Sequence, residues 1–206
     1  MTGVVRKRSY YDGAGIPPEL ARRYFRLLGD LATILDLGCG TGELGRYAPK
    51  GVRVHGVDMD AGAVELASRY EHAICLNLEN NVLPYEDGMF DAVVAKDVFE
   101  HVTDAGRLAA EARRVVAPGG KLLASVIMAK PKAVWSDYTH VRGFTKASAV
   151  MLLEDAGLTV DGIWRMGPVP LSSKLHLMDA VPHVLRLPIA GRLWATSWEL
   201  IAHVPK

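Results

Sequence analysis

Cysteine is scarce: the 206 residues hold two, Cys39 and Cys75, in patterned segments with no metal-type spacing. That excludes a disulfide-stapled scaffold and suits a reducing compartment. Charge of one sign is also lacking, since 24 Lys and Arg against 23 Asp and Glu leave a formal charge of +1. No strong net field draws the chain to phosphate backbones or acidic membranes, so no nucleic-acid partner is expected. Long apolar runs are missing as well. No stretch approaches the ~20 residues that span a bilayer, and residues 122–129, broken by Ser125, have the length of a buried strand. Arg6, Lys7 and Arg8 are followed by no apolar segment, so neither a signal peptide nor stable membrane insertion is expected, and the location expected is cytoplasmic. His55, His72, His176, His183 and His203 share no ligand spacing, and no metal site is expected. What is present, 50% hydrophobic and 23% charged residues, is enough for one well-packed domain.

From Thr33 onward, short apolar runs alternate with segments of helical spacing, as in βαβ units that build a parallel sheet buried on both faces. Strands are expected at 33–37, 52–57, 73–76, 90–95, 121–128, 158–165 and 197–204. Helices are expected after Pro17 to Leu28, at 61–70 with Val64, Leu66 and Ala67 available for packing, from Asp104 onward, and at 145–156 ended by Gly157. Pro118-Gly119-Gly120 reads as a turn leading into the fifth strand. Residues 1–32 then form an arm and leading helix, 33–167 an α/β core, and 168–206 an apolar cap plus the strand that completes the same domain.

The most informative segment is Ile34-Leu35-Asp36-Leu37-Gly38-Cys39-Gly40-Thr41-Gly42-Glu43-Leu44-Gly45. A strand delivers the chain to glycines that admit positive φ and remove side chains, so that a ligand can lie on backbone amides at a helix start. Gly40, Gly42 and Gly45 match the dinucleotide fingerprint Gly-x-Gly-x-x-Gly. Asp36 favours another ligand: two residues before Gly38, a carboxylate repels a pyrophosphate but can bind the ammonium of an amino-acid tail. Asp58 ends the second strand, where its oxygens can accept both hydroxyls of a ribose; this fits either ligand.

Leu35-Asp36-Leu37-Gly38-Cys39-Gly40-Thr41-Gly42 resembles the first motif of the class I S-adenosylmethionine-dependent methyltransferases. Residues 83–91 resemble the run into their fourth strand, Asp97-Val98-Phe99-Glu100-His101-Val102 the turn after it, and 114–122 the approach to their fifth. The resemblance covers Ile34 to Ser125 and is nearest to the small-molecule branch that includes quinone-biosynthesis methyltransferases. It implies a Rossmann-like, doubly wound seven-stranded α/β sheet with a reversed final strand in a single domain. It also implies S-adenosylmethionine as cofactor, S-adenosylhomocysteine as product, and in-line methyl transfer to an O, N or C centre of a small-molecule acceptor. In that family Asp36, Gly38, Cys39 and Gly40 would surround the methionine part and Asp58 the ribose, with Met59 and Leu78 against the adenine. Asn77 stands where the family often carries an aspartate for the adenine amino group; its amide oxygen can accept the same hydrogen bond.

The acceptor is harder to read, because methyl transfer from a sulfonium asks the protein chiefly to align reactants and exclude water. Trp135-Ser136-Asp137-Tyr138-Thr139-His140-Val141-Arg142-Gly143-Phe144-Thr145 is a polar and aromatic loop after the fifth strand, at the edge where ligands bind in open α/β sheets. There His140 can take a proton with Asp137 orienting it, and Arg142 and Tyr138 can contact the acceptor. His101 can border the transferred methyl group, Lys96 reads as a solvated lysine, and Tyr10 and Tyr11 resemble aromatics that some relatives fold over the cofactor. Three rivals stay open on the residues: a nicotinamide-dependent oxidoreductase, a non-catalytic cofactor-binding protein, and a methyltransferase acting on protein or RNA. The oligomeric state and the acceptor's identity are not legible.

Overall fold

The computed structural model describes residues 15–206; Tyr10 and Tyr11 lie outside them. Strands β1 (Thr33–Leu37), β2 (Arg53–Asp58), β3 (His72–Cys75), β4 (Phe90–Lys96), β5 (Val116–Ile127), β6 (Thr159–Met166) and β7 (Ser197–His203) form one sheet in the order β3-β2-β1-β4-β5-β7-β6. The pairings from β3 to β5 are parallel, and β7 runs antiparallel to both β5 and β6. The order reverses between β1 and β4, and the carboxyl ends of those strands flank a ligand crevice at such a switch point.

Alternation along the strands loads both faces. Leu35 and Leu37 of β1 join Val93 and Ala95 of β4 in a core closed by α3 (Ala105–Val115) and α5 (Lys146–Asp155). Ile34, Ala92, Val94 and Leu123 point the other way, into a core closed by α1 (Pro18–Leu28) and the 168–194 segment. Asp36 shares a face with Ile34, so the period of the strand carries a carboxylate into the second, apolar layer.

Local chemistry sets the helix ends. Pro18 opens α1, and the Lys121 ammonium donates to the carbonyls of Leu27 and Leu28 at 2.9 Å, satisfying its last turn. The Asp104 carboxylate accepts from Arg107 N and caps α3, while Thr145 and Ser148 cap α5 reciprocally. Gly157 follows α5 with φ of 84°. Two expectations need correction. The helix after Asp60, α2 (Ala61–Leu66), ends four residues early and leaves Leu66 exposed, because the chain must unwind to drive the Tyr70 ring under the glycine turn. Pro118-Gly119-Gly120 is an irregularity inside β5 and not a turn before it. The register against β4 shifts between Phe90 and Ala92, and a Cβ at Gly120 would sit 2.7 Å from the Asp91 carbonyl.

A buried ion pair pins α1 across the sheet: Arg23 donates to Glu199 of β7, both side chains nearly sealed from water. Burial pushes the Glu199 carboxyl up in pKa even with Arg23 beside it. Removing one partner of such a pair costs more than the pair contributes, since the other is left desolvated. Arg23→Met should therefore lower the unfolding free energy by about 3–5 kcal/mol. Arg23→Met with Glu199→Met should lose clearly less. Urea unfolding of both variants checks this, and equal losses would contradict it.

Candidate active site

The glycine turn is held from below by its own backbone. Gly38 N and Cys39 N both donate to the Val57 carbonyl, at 2.8 and 3.0 Å, Gly40 N donates to an Asp58 carboxylate oxygen at 2.8 Å, and Gly42 N to the Cys39 carbonyl at 2.9 Å. Gly38, Gly40 and Gly42 have φ of 71°, 50° and 81°, which is why the positions favour glycine. Downstream lies only a four-residue 3₁₀ turn, Leu44–Tyr47. The amides of Gly38, Cys39, Gly40 and Gly42 are thus turned to partners within the protein, and no helix of useful length adds a dipole. A pyrophosphate has no cradle here, and the match of Gly40, Gly42 and Gly45 to a dinucleotide fingerprint has another cause.

That cause is Tyr70. A Cβ on Gly45 would lie 2.3 Å from its ring and one on Gly56 2.5 Å, while a Cβ on Gly42 would meet Ala67 at 2.9 Å. The glycines make a socket, the ring fills it, and the phenol donates to the Asp36 carboxylate. Burial raises Asp36 to a pKa of about 7, with Tyr70 working against the rise and Asp58 adding to it. Burial also pushes the Cys39 thiol far up, so it is an inert wall of the socket. The local pattern gives no hint of Tyr70; the glycine at 56, in the middle of a strand, is the one signal of a close approach.

Around this turn the other expected residues are placed as follows. Asp58 holds Gly40 N with one oxygen and Asp60 N with the other, at 3.0 Å. Met59 projects into solvent, 66% exposed, at the carboxyl end of β2, and Leu78 is buried. The Asn77 amide oxygen accepts from Glu79 N at 2.9 Å in an Asx turn. Met59 thus leaves an exposed apolar surface just past the buried Asp58.

At the end of β4 stands a polar cluster that sequence patterning undervalues. Lys96 is not a solvated lysine. It pairs with Asp97; burial pulls the ammonium's pKa down most strongly, but the charge and hydrogen bond of Asp97 together with the charges of Glu100 and Asp36 leave it raised. Asp97 also accepts from Ser125 at 2.8 Å and has φ of 55°, a strained backbone for a non-glycine residue. Glu100 accepts from Ile127 N at 3.0 Å, and its second oxygen is buried without a hydrogen-bond partner. Burial, then Asp97, pushes Glu100 up to about 8.

The polar loop is sewn to the turn after β4. Val141 N donates to the Glu100 carbonyl at 2.9 Å, and Arg142 donates to the Thr103 carbonyl. Arg142 is therefore a strut with a buried, unpartnered Nε, and Tyr138 is almost fully exposed. The Asp137 carboxylate does not hydrogen-bond the His140 ring, whose Nδ1 donates to the Val134 carbonyl at 2.8 Å; the two residues meet through the His140 N–H, which donates to the Asp137 carbonyl at 3.3 Å. Its Oδ1 instead accepts from Thr139 N at 2.9 Å and from the Thr139 hydroxyl at 2.6 Å, and Thr139 Oγ1 lies 3.0 Å from His101 Nδ1. With the hydroxyl proton given to Asp137, His101 Nδ1 must donate to Thr139, and the acceptor nitrogen of the neutral ring is Nε2. His101 and His140 lie 4.6 Å apart at their ring centroids. Burial and then His140 hold His101 below the usual imidazole pKa. Thr139 was not singled out from the sequence, although Asp-x-Thr spacing is a known turn signature.

Among the described residues no group of three or more His, Cys, Asp or Glu can hold a metal ion, and no helix is long and apolar enough to cross a membrane. Residues 35–124 match the family described as "Methyltransferase domain". The chain is 29% identical over 171 residues to "Ubiquinone biosynthesis O-methyltransferase" of Pseudomonas paraeruginosa, covering 72% of this chain and 74% of that protein. It is 37% identical over 102 residues to "Demethylmenaquinone methyltransferase" of Symbiobacterium thermophilum, covering 44% of this chain and 40% of that one. The chain spans less than half the length of several other curated relatives it matches. A solved S-adenosylmethionine-dependent methyltransferase from Archaeoglobus fulgidus superposes with a TM-score of 0.71 at 16% identity, over 90% of this chain and 92% of that one. Residues 35–124 thus match a methyltransferase domain, and the chain is similar to S-adenosylmethionine-dependent methyltransferases, among them those of quinone biosynthesis.

The two buried acids give a pH signature. Their native pKa values, about 7 for Asp36 and about 8 for Glu100, lie above the ordinary 3.8 and 4.5, so their neutral forms favour the fold. That contribution is complete below the ordinary values and is lost as pH rises through the native ones. Urea midpoints of the cofactor-free protein should fall between about pH 4 and about pH 8. Asp36→Asn should flatten the part below about pH 7, and an unchanged slope would contradict the assignment.

Proposed function

We propose that the domain transfers the methyl group of S-adenosylmethionine to a hydroxyl oxygen of a small acceptor, with His101 taking the acceptor's proton. The observation that carries this reading is the directed chain His101 to Thr139 to Asp137. An imidazole fixed with Nδ1 as donor and held neutral by burial and by His140 is suited to accept a proton at Nε2 near neutral pH. The relative's name, an O-methyltransferase, supports an oxygen acceptor.

His101 belongs to the turn that flanks the cofactor motif: its N–H donates to the Val98 carbonyl at 3.0 Å, and Val98 lies against Gly38, where a Cβ would meet it at 2.6 Å. Asp36 holds the ammonium of the cofactor's tail, Gly38, Cys39 and Gly40 line that tail, and Asp58 faces the ribose. Met59, Leu78 and Asn77 face the adenine. When bound, the cofactor supplies an electrophilic methyl on a sulfonium whose leaving group needs no proton. The protein's work is alignment, exclusion of water and removal of the acceptor's proton. Asp137 and Thr139 position His101, and Tyr138 with Trp135 offers an exposed aromatic rim to the acceptor. His140, expected as the base itself, acts through its neighbour by keeping His101 uncharged.

Two measurements test the reading. A bound ammonium favours the ionised Asp36, so S-adenosylhomocysteine affinity by calorimetry should rise as pH increases through about 7. Asp36→Asn should weaken it by more than ~1 kcal/mol and remove the rise. With a panel of phenolic and catecholic acceptors, His101→Ala should lower kcat about 10²–10⁴-fold and spare cofactor affinity. Thr139→Val should move the acid limb of the pH–rate profile down, since Asp137 no longer supports the imidazolium, and Thr139→Ser should restore it. Full turnover by His101→Ala would move the reading to an N or C centre that needs no base.

A further inference from the structure

The 168–194 segment ends in two short helices, α6 (Val181–Val184) and α7 (Pro188–Leu193). α7 is inside out for a helix of a folded domain. It buries its small residues Ala190 and Gly191, and presses Gly191 so close that a Cβ there would lie 2.3 Å from the Leu185 carbonyl. Its large residues face water: Ile189 is 75% and Leu193 66% exposed, with Leu187 and Trp194 exposed at either end. Ile189 and Leu193 are one turn apart on a single face. Such an apolar face on a helix that contributes little to the core marks a contact surface.

Beside α7 opens a cavity of about 570 Å³ at the end of β5, lined by Lys130, Lys146, Arg165, Arg186 and Arg192 around Trp198, with no carboxylate in its wall. Among the described residues none of these five cations has an ion-pair partner. No acidic residue occurs from 180 to 194. Lys130 donates to the carbonyls of Gly191, Arg192 and Ala195 at 3.2, 3.1 and 2.5 Å, which fixes α7 over the cavity mouth. Arg165 stacks on the Trp198 ring at 5.5 Å, and burial together with its charge lowers the Lys130 pKa. The like charges are thus held together with no counter-charge of the protein's own.

We infer that this face docks on an anionic phospholipid surface, with lipid phosphates at the cationic cavity and Leu187, Ile189, Leu193 and Trp194 in the interfacial layer. Charge complementarity selects this occupant. A second copy meeting the face about a twofold axis would set arginine against arginine, and a free hydrophilic anion would leave the apolar residues without a role. Basic residues around exposed aliphatic and indole side chains are the pattern of interfacial anchoring. The inference goes beyond methyl transfer and does not depend on the acceptor's identity.

The test is co-sedimentation of the full chain with phosphatidylcholine vesicles, alone and mixed with phosphatidylglycerol. Binding is expected to the mixed vesicles only and to weaken with salt. Arg186→Glu with Arg192→Glu should reduce partitioning by about tenfold or more, and Ile189→Ser with Leu193→Ser likewise. Leu66→Ser, removing an exposed leucine elsewhere, should leave it unchanged. Circular dichroism and calorimetry with S-adenosylhomocysteine confirm that each variant is folded. Failure of the wild-type chain to bind the mixed vesicles, or binding that survives both double substitutions, overturns the inference. So does concentration-dependent self-association abolished by the Ile189 and Leu193 substitutions in a chain that ignores vesicles, which would name a second copy as the occupant.

Discussion

A carboxylate drawn out of water at the end of β1 constrains everything around it. The period of the strand sends Asp36 into an apolar layer, and burying an unpaired anion there would cost several kcal/mol. The fold meets that cost partly by letting the proton stay, with a pKa of about 7, and partly with one donor, the Tyr70 phenol. To bring that phenol within reach, α2 stops at Leu66, and Gly42, Gly45 and Gly56 give up their side chains to the ring. The site thus holds an acid whose charge the fold keeps suppressed, with one side-chain donor, the Tyr70 phenol, beside it.

The same reasoning separates two ligand classes that share a glycine-rich turn. A pyrophosphate needs unspent amides and a helix dipole. In this turn Gly38, Cys39, Gly40 and Gly42 have all donated inward, and the 3₁₀ turn that follows is too short to supply a field. What remains at the turn is the buried carboxylates of Asp36 and Asp58 and the exposed thioether of Met59. The glycine spacing that suggests a dinucleotide is the packing requirement of one tyrosine.

What the sequence discloses and what it hides follow the range of the interactions. Strand periodicity, the Asp104 and Thr145 caps, Gly157 and the glycine turn are local, and apart from β5, which starts at Val116 and not at 121, the structure places them within a residue or two of expectation. The seven-stranded sheet with its reversed last strand came from family resemblance, since periodicity alone gives only an α/β sheet. Tyr70 was hidden because its partners lie at 36, 42, 45 and 56, and no spacing rule joins those numbers. Lys96 looked solvated because its partner Asp97 is its neighbour in sequence, where strand geometry ordinarily sends the two side chains apart. The positive φ at Asp97 reverses that expectation. Asp137 and His140 were grouped by proximity, yet their side-chain hydrogen bonds run to Thr139 and Val134.

The relay from Asp137 through Thr139 to His101 also explains why the loop after β5 is fastened so firmly. A base held by one hydrogen bond to a mobile loop would lose its orientation whenever the loop moved, and misplacement on the scale of an ångström is costly for proton transfer. Here the loop is tied to the turn after β4 by Val141 to Glu100 and Arg142 to Thr103 as well as by Thr139 to His101. Glu100, through its side chain, also reaches Ile127 of β5 at 3.0 Å. The ends of β4 and β5, the turn against Gly38 and the polar loop are therefore joined by one set of hydrogen bonds. Arg142, expected to contact the acceptor, donates to the Thr103 carbonyl and adds to this fastening. What the fastened loop leaves exposed is the rings of Trp135 and Tyr138.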